Sequence, residues 1–272
     1  MINRPKIILT NDDGIFSPGL RVLYEAVKDL GKIYIVAPSE PKSAVGLGIT
    51  LHKPIRVHEV TLWGNVRGFA INGTPSDSIH VAREVVVRDK IDLVLSGINI
   101  GDNTSMQTIL SSGTLGAAAE ASLMGIKSIA FSANVQSGEE FYNEDYSSII
   151  KKVIRIMVSH ILNNGFPKGV DVISVNFPSE IRSGVYVVPA ARLRWREKLE
   201  ERRDPRGAPY YWLYGEPTEP EPDTDVYVVH VLKGIALTPL VLDMSASSGK
   251  AYSQLNSIAK IIQLKLEERN EE

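Results

Sequence analysis

Short apolar runs alternate with helix-like segments through the first 180 residues, and that alternation narrows the fold more than any other feature. Lys6–Thr10, Lys32–Ala37, Ile91–Ser96 and Lys127–Ser132 read as buried strands, and Val172–Val175 is strand-like. Between the first two, Pro18–Leu30 carries Leu20, Leu23, Val27 and Leu30 as an apolar stripe. Ser17 stands as its cap, Pro18 at its first position and Gly31 as its stop. Thr74-Pro75 opens a helix to about Val86, with Asp77 in the first turn, where negative charge suits the helix dipole. Gly113–Met124 and Tyr146–Leu162 read as further helices. Ile49–Val60 and Val66–Ile71 look like an antiparallel excursion around Gly64-Asn65. Such alternation predicts an α/β fold: a doubly wound, mostly parallel sheet with helices on both faces.

The pattern changes after Asn176. Val185–Pro189 reads as a short strand, followed by Arg192–Arg206, a dense mixture of both charges, and then Tyr210-Tyr211-Trp212-Leu213-Tyr214. A Pro/Glu-rich turn, a short helix from Asp225 and a strand near Ile235–Leu237 lead to a final amphipathic helix. Its stripe is Leu255, Ile258, Ile261, Ile262 and Leu266. The expected organisation is a catalytic α/β domain over residues 1–180, with an arm, short strand and helix over 181–272. An aromatic-tipped arm of this kind needs a second subunit to cover it.

Composition removes several function classes. There is no cysteine, which excludes disulfides, thiolate catalysis and cysteine-ligated metals. A formal net charge of -2 gives no sign of a nucleic-acid or membrane-surface binder, and no apolar stretch reaches membrane-spanning length. With no apolar signal segment near the start, a soluble cytoplasmic protein is the expectation. The basic residues Arg192, Arg194, Arg196, Lys198, Arg202 and Arg203 are interleaved with Glu197, Glu200 and Glu201, which reads as a salt-bridged arm. Val45-Gly46-Leu47-Gly48 does not open a helix after the first strand, which argues against dinucleotide binding. His52, His58, His80, His160 and His230 show no metal-ligand spacing, and none is assigned to catalysis.

Chemistry concentrates in four loops that the topology places along one sheet edge. The first holds Asn11-Asp12-Asp13-Gly14, the second Ala37–Ser43, the third Ser96–Asn103, and Ser111-Ser112-Gly113-Thr114 precedes a helix. Alone, the first is an ordinary Asx turn. In company it changes meaning, because two adjacent carboxylates repel each other and resist dehydration unless a cation sits between them. Carboxylate, hydroxyl and amide oxygens without cysteine suit a hard divalent ion such as Mg²⁺ or Mn²⁺. Ser112-Gly113-Thr114 offers free amides at the positive end of a helix, a site suited to phosphate.

Thr10–Gly14 with Pro18-Gly19, Ala37-Pro38, Ser43, and Ser96–Asn99 with Gly101 and Asn103 resemble the SurE family of survival-protein nucleotidases. So do Gly73–Asp77, Ser112–Thr114, Asn176 with Pro178, Asp204–Gly207, Tyr211-Trp212 and Thr238–Leu240. The resemblance spans nearly the whole chain. It implies a Rossmann-like core and a metal-dependent phosphomonoesterase acting on nucleoside monophosphates as a 5′-nucleotidase, with 3′-nucleotides as further candidates. It also implies one divalent ion per subunit on Asp12, Asp13, Ser43 and Asn99. Asn11, Asp12 and Asp13 would serve catalysis, and Asn11, Asn103, Ser112, Gly113 and Thr114 the phosphate. A dimer or tetramer exchanging the C-terminal arm and helix is implied as well. The alternatives are a broad-specificity acid phosphatase or exopolyphosphatase, and a non-catalytic nucleotide-binding module. Ala44, Ser111 and the segment 131–142 depart from the family pattern and bear on nucleotide preference.

Overall fold

A computed structural model describes residues 4–268. Its first strands and helices are β1 (Lys6–Thr10), α1 (Pro18–Val27), β2 (Lys32–Pro38), β3 (Val57–Thr61), β4 (Arg67–Ile71) and α2 (Pro75–Val81). Next come β5 (Leu93–Ile100), α3 (Ser105–Ser111), α4 (Gly113–Leu123), β6 (Ser128–Ala133), α5 (Glu144–Asn164) and β7 (Val172–Phe177). The chain continues through β8 (Val185–Val187), β9 (Trp195–Arg203), β10 (Pro209–Pro217), α6 (Asp225–Tyr227), β11 (Ile235–Leu240) and α7 (Gly249–Glu268). One unit extends through Leu240, and a second, containing α7, starts at Val241.

The main sheet has the order β3-β4-β2-β1-β5-β6-β7-β11-β8. The run from β4 to β7 is parallel, while β3 and β11 enter antiparallel to β4 and β7. Alternation along β1 divides the interior. Ile7 and Leu9 join Leu20, Leu23 and Val27 of α1 and Ile150, Ile154 and Val158 of α5. Ile8, one residue out of phase, joins Val36, Ile79 of α2, and Ala117 and Ala121 of α4. The chain leaves β1 for β2 on one side and returns to β5 on the other, which opens a crevice at the carboxyl ends of β1 and β5.

Local sequence signals explain most element ends. Thr74 accepts from the Asp77 amide while Asp77 accepts from the Thr74 amide, a reciprocal cap for α2. Asn143 caps α5 by accepting from the Tyr146 amide. Ser17 holds the cap position of α1, but its side chain makes no capping bond. Beyond Val81 the helix widens through Val87 and stops where Arg88 turns left-handed. Helix α3, just ahead of Ser112, carries no apolar stripe that periodicity could register. Pro239 sits inside β11 without breaking the sheet, because β8 pairs only as far as Leu237↔Val187.

Strands β9 and β10 form a separate antiparallel ribbon over the charged and aromatic stretch, from Trp195↔Pro217 to Arg203↔Pro209. Asp204 turns it by accepting from the amides of Arg206 and Ala208. The salt bridges expected of the arm are present: Lys198–Glu216, Arg202–Glu200 and Arg203–Glu201. In α7, Leu255, Ile258, Ile261 and Ile262 are all exposed. The side chain of Leu266, the last of that stripe, lies outside the described residues. Among the described residues no helix is long and apolar enough to cross a membrane.

Helix α1 begins so close to β5 that a Cβ on Gly19 would stand 2.0 Å from the Ile98 carbonyl oxygen. Replacing Gly19 by Ala is expected to cost about 1–3 kcal/mol through forced backbone shifts. Urea denaturation checks this, and an unchanged midpoint would mean that α1 slides freely on β5.

Candidate functional site

Residues 11–13 leave β1 at the crevice, and their three side chains take different roles. Asn11 is fully buried; its amide donates to the Gly14 carbonyl at 3.0 Å, while among the described residues its Oδ1 has no partner. Asp12 is 4% exposed and accepts from the Thr114 hydroxyl at 2.5 Å. Asp13 is half-buried and accepts from the Ile100 amide at 3.1 Å. The end of β1 is thereby tied to the start of α4 and to the end of β5, both far away in sequence.

The second loop closes from the opposite side. The Lys42 amide donates to the Asp12 carbonyl at 2.7 Å, and the exposed Ser43 follows directly after it in the chain. The Gly46 amide donates to Ser111 at 2.8 Å, so the glycine-rich stretch lies against the junction of α3 and α4. Gly113 begins α4 directly over Asp12: a Cβ there would come 2.8 Å from the Asp12 Cβ. Ser112 caps α4 by accepting from the Leu115 amide at 3.2 Å. The helix terminus therefore faces a carboxylate that belongs to the chain itself, with the amides of Thr114 and Gly113 helping to hold its charge.

The third loop carries Asn99 and Asn103. Pairing between β5 and β6 shifts register between Ser96 and Asn99, which turns the strand end toward the crevice. Asn99 donates to the carbonyl of Gly101 at 2.8 Å, and among the described residues its side-chain oxygen accepts no hydrogen bond. Asn103 is buried; its amide group donates to Ser132 and its backbone N–H to Asn176, both at 2.8 Å. Asp12, Asp13 and Asn99 thus lie at one rim, with Ser43 following the Lys42 amide that is tied to the Asp12 carbonyl, while Asn11, Asn103 and Thr114 make bonds beneath it.

Electrostatics make the rim hungry for positive charge. Burial raises the Asp12 carboxyl against the opposing pull of Thr114 and the α4 amides. Asp13 is pushed up to about 7, first by burial and then by the charge of Asp12, with the Ile100 amide pulling the other way. Among the described residues no group of three or more His, Asp or Glu side chains gathers as a metal cluster. A cation here would rest on two carboxylates plus neutral oxygens, a donor set that fits a hard divalent ion.

Residues that sequence reasoning did not single out hold the third loop in place. Asp102 contacts His230 and accepts from Thr104; Asp225 accepts from the Ser105 amide at 2.8 Å. Nothing local in the sequence marks these partners, which come from more than a hundred residues downstream.

Comparison with known proteins agrees with this architecture. Residues 7–198 match the model of the family described as "Survival protein SurE". The 5′-nucleotidase SurE of Hyperthermus butylicus is 52% identical over 97% of this chain and 94% of its own length. That of Pyrobaculum arsenaticum is 50% identical over 94% and 97%. The crystal structure of the SurE protein from Aquifex aeolicus superimposes with a TM-score of 0.76 at 34% identity, covering 94% of this chain and 99% of that one. With the domain matched and both relatives aligned nearly end to end, the chain belongs to the SurE family.

Proposed function

We propose that this protein is a divalent-metal-dependent phosphomonoesterase that hydrolyses nucleoside 5′-monophosphates. The carrying observation is the pair Asp12–Asp13, two adjacent carboxyls whose protonation is favoured by burial and, at Asp13, by the neighbouring charge of Asp12, opening on neutral oxygen donors. Relatives of half-identical sequence named 5′-nucleotidase support the substrate class.

Asp12, Asp13, Ser43 and Asn99 would hold the cation. When bound, it supplies charge neutralisation for the phosphate and a lowered pKa for an attacking water. Thr114 fixes the Asp12 rotamer, so one carboxylate oxygen keeps a constant place. Asp13, tethered through Oδ2 to Ile100, keeps Oδ1 to orient the water and accept its proton. The positive end of α4, beginning at Ser112-Gly113-Thr114, favours the negative charge that gathers on the phosphoryl group. Asn11 and Asn103 act by holding the turns in shape, through Gly14 and Ser132 respectively.

The same reading includes self-association through the C-terminal region. Leu199, Trp212 and Leu213 on the ribbon are exposed, as is the apolar stripe of α7. A groove of about 660 Å³, lined by Ile156, Met157, Val185, Val187 and Pro239 among others, runs beside α5 and β8. Apolar surface on this scale is uncommon on a protein that works alone.

Three outcomes test these readings. Phosphate release should occur from nucleoside 5′-monophosphates with Mg²⁺ or Mn²⁺, more slowly from simple esters and polyphosphate, and fall on the order of 100-fold or more in Asp13→Asn; release without metal, or an active variant, overturns the assignment. Because the folded chain holds a proton on Asp13 more tightly than the unfolded chain, metal-free stability should fall as pH rises from about 4 to about 7. Divalent metal at a hundred times its Kd should restore about 2.7 kcal/mol above pH 7 and less below, where protons compete, as read by thermal denaturation. Finally, Ile258→Asp with Ile262→Asp in the full chain should lower the mass seen by light scattering.

A further inference from the structure

The turn that carries Asn99 and Asn103 is anchored from outside the rim by a chain of three side chains. Asp102 accepts from the hydroxyl and amide of Thr104 through Oδ1, and its Oδ2 lies 3.2 Å from His230 Nε2. On the far side of the ring, His230 Nδ1 meets a terminal nitrogen of Arg194 at 3.3 Å. Arg194 is 8% exposed, stacks over the Trp195 ring at 4.3 Å, and stands at the root of the β9–β10 ribbon. The amides of Arg194 and Trp195 both donate to the side-chain oxygen of Gln107 in α3.

Chemistry fixes how this chain must be read. A guanidinium only donates, so His230 Nδ1 is the acceptor of the Arg194 contact, and Nε2 is the ring nitrogen that faces the Asp102 carboxylate. The ring thus stands between a buried guanidinium and a buried carboxylate, held to Asp102 by a 3.2 Å contact of Nε2 that lacks hydrogen-bond geometry. Burial opposes the Asp102 charge, yet the adjoining His230, the Thr104 hydroxyl and the Arg194 guanidinium hold its carboxyl below the usual range. Beside it, Asp225 clamps the Ser105 and Ala191 amides, each at 2.8 Å, and Ser105 is held at φ 76°, a conformation that serine rarely adopts. The strained turn from Gly101 to Ser105 thus has anchors at both ends.

A buried pair that served stability alone would be replaceable by apolar side chains of similar volume. This one terminates on the residue between Gly101, which accepts from Asn99, and Asn103, which ties β6 and β7 to the rim. We propose that His230 is a positioning residue for the phosphatase reaction: by linking Arg194 to Asp102 it fixes the Gly101–Asn103 turn, and through it the Asn99 oxygen. The proposal rests on the phosphatase reading of the rim.

The test compares full-length His230→Leu and His230→Gln with the wild type. Leucine keeps the volume and loses both polar contacts; glutamine offers one acceptor to Arg194 and one donor to Asp102. With a nucleoside monophosphate and Mg²⁺ or Mn²⁺, His230→Leu should lose about tenfold in kcat with KM within about twofold, as other partners of ligand-bearing residues do. His230→Gln should regain most of that loss. Deuterium exchange of residues 99–105 should accelerate in the leucine variant and slow again in the glutamine variant. Wild-type kcat in His230→Leu, a glutamine variant as impaired as the leucine one, or unchanged exchange would each overturn the proposal. Should His230→Leu not fold, Asp102→Asn replaces it with the same expectation. If the wild type itself releases no phosphate, the reading of the rim fails and the proposal falls with it; an active wild type with an unimpaired His230→Leu sinks the proposal alone.

Discussion

Two adjacent carboxyls at the buried head of β1 are the constraint that the remaining structure serves. Burial disfavours the charge on both, and the charge of Asp12 weighs further on Asp13. The fold answers with a hydroxyl from α4 for Asp12 and an amide from β5 for Asp13, each from a different layer. Those two bonds set where α4 begins and where β5 bends. They also leave the pair only partly compensated, with its remaining oxygens facing the crevice. A site that bound its own groups to completion would have no affinity left for a cation.

How much of this was legible in the sequence depends on distance along the chain. The α/β architecture was readable because Ile7, Ile8 and Leu9 belong to an unbroken apolar run that only a strand covered on both faces can bury. The Thr74/Asp77 cap was readable for the same reason: its partners are three residues apart. Once the strands were assigned, parallel topology alone put the loops after β1, β2 and β5 on a common edge. What stayed hidden involves side chains that choose partners across the fold. The parallel pairing of β4 with β2, which converts a hairpin excursion into a strand of the main sheet, has no local signature. His230 looked like an isolated histidine, because its partners Asp102 and Arg194 lie far from it in sequence.

The division of labour among the asparagines illustrates the limits of reading residue type alone. Asn11, Asn99 and Asn103 look equivalent in a list of oxygen-bearing loop residues. In the folded chain only Asn99 stands at the rim, while Asn11 and Asn103 close turns beneath it. Burial is the discriminating variable, and it is a property of the assembled sheet. The same holds for Thr114, whose hydroxyl could serve any anion in isolation but is held by Asp12.

The bond from the Ser105 amide to Asp225 spans 120 residues. It cannot form until the segment around α6, near the end of the first unit, has docked beside the sheet. Closing so long a loop is slow, and every step that precedes it leaves the Gly101–Ser105 turn without its anchor. During synthesis, the carboxylates of β1 emerge first and wait longest for a complete setting. An unfinished chain therefore carries these carboxylates but not the frame around them, so that the crevice is complete only once the last strands of the fold have docked.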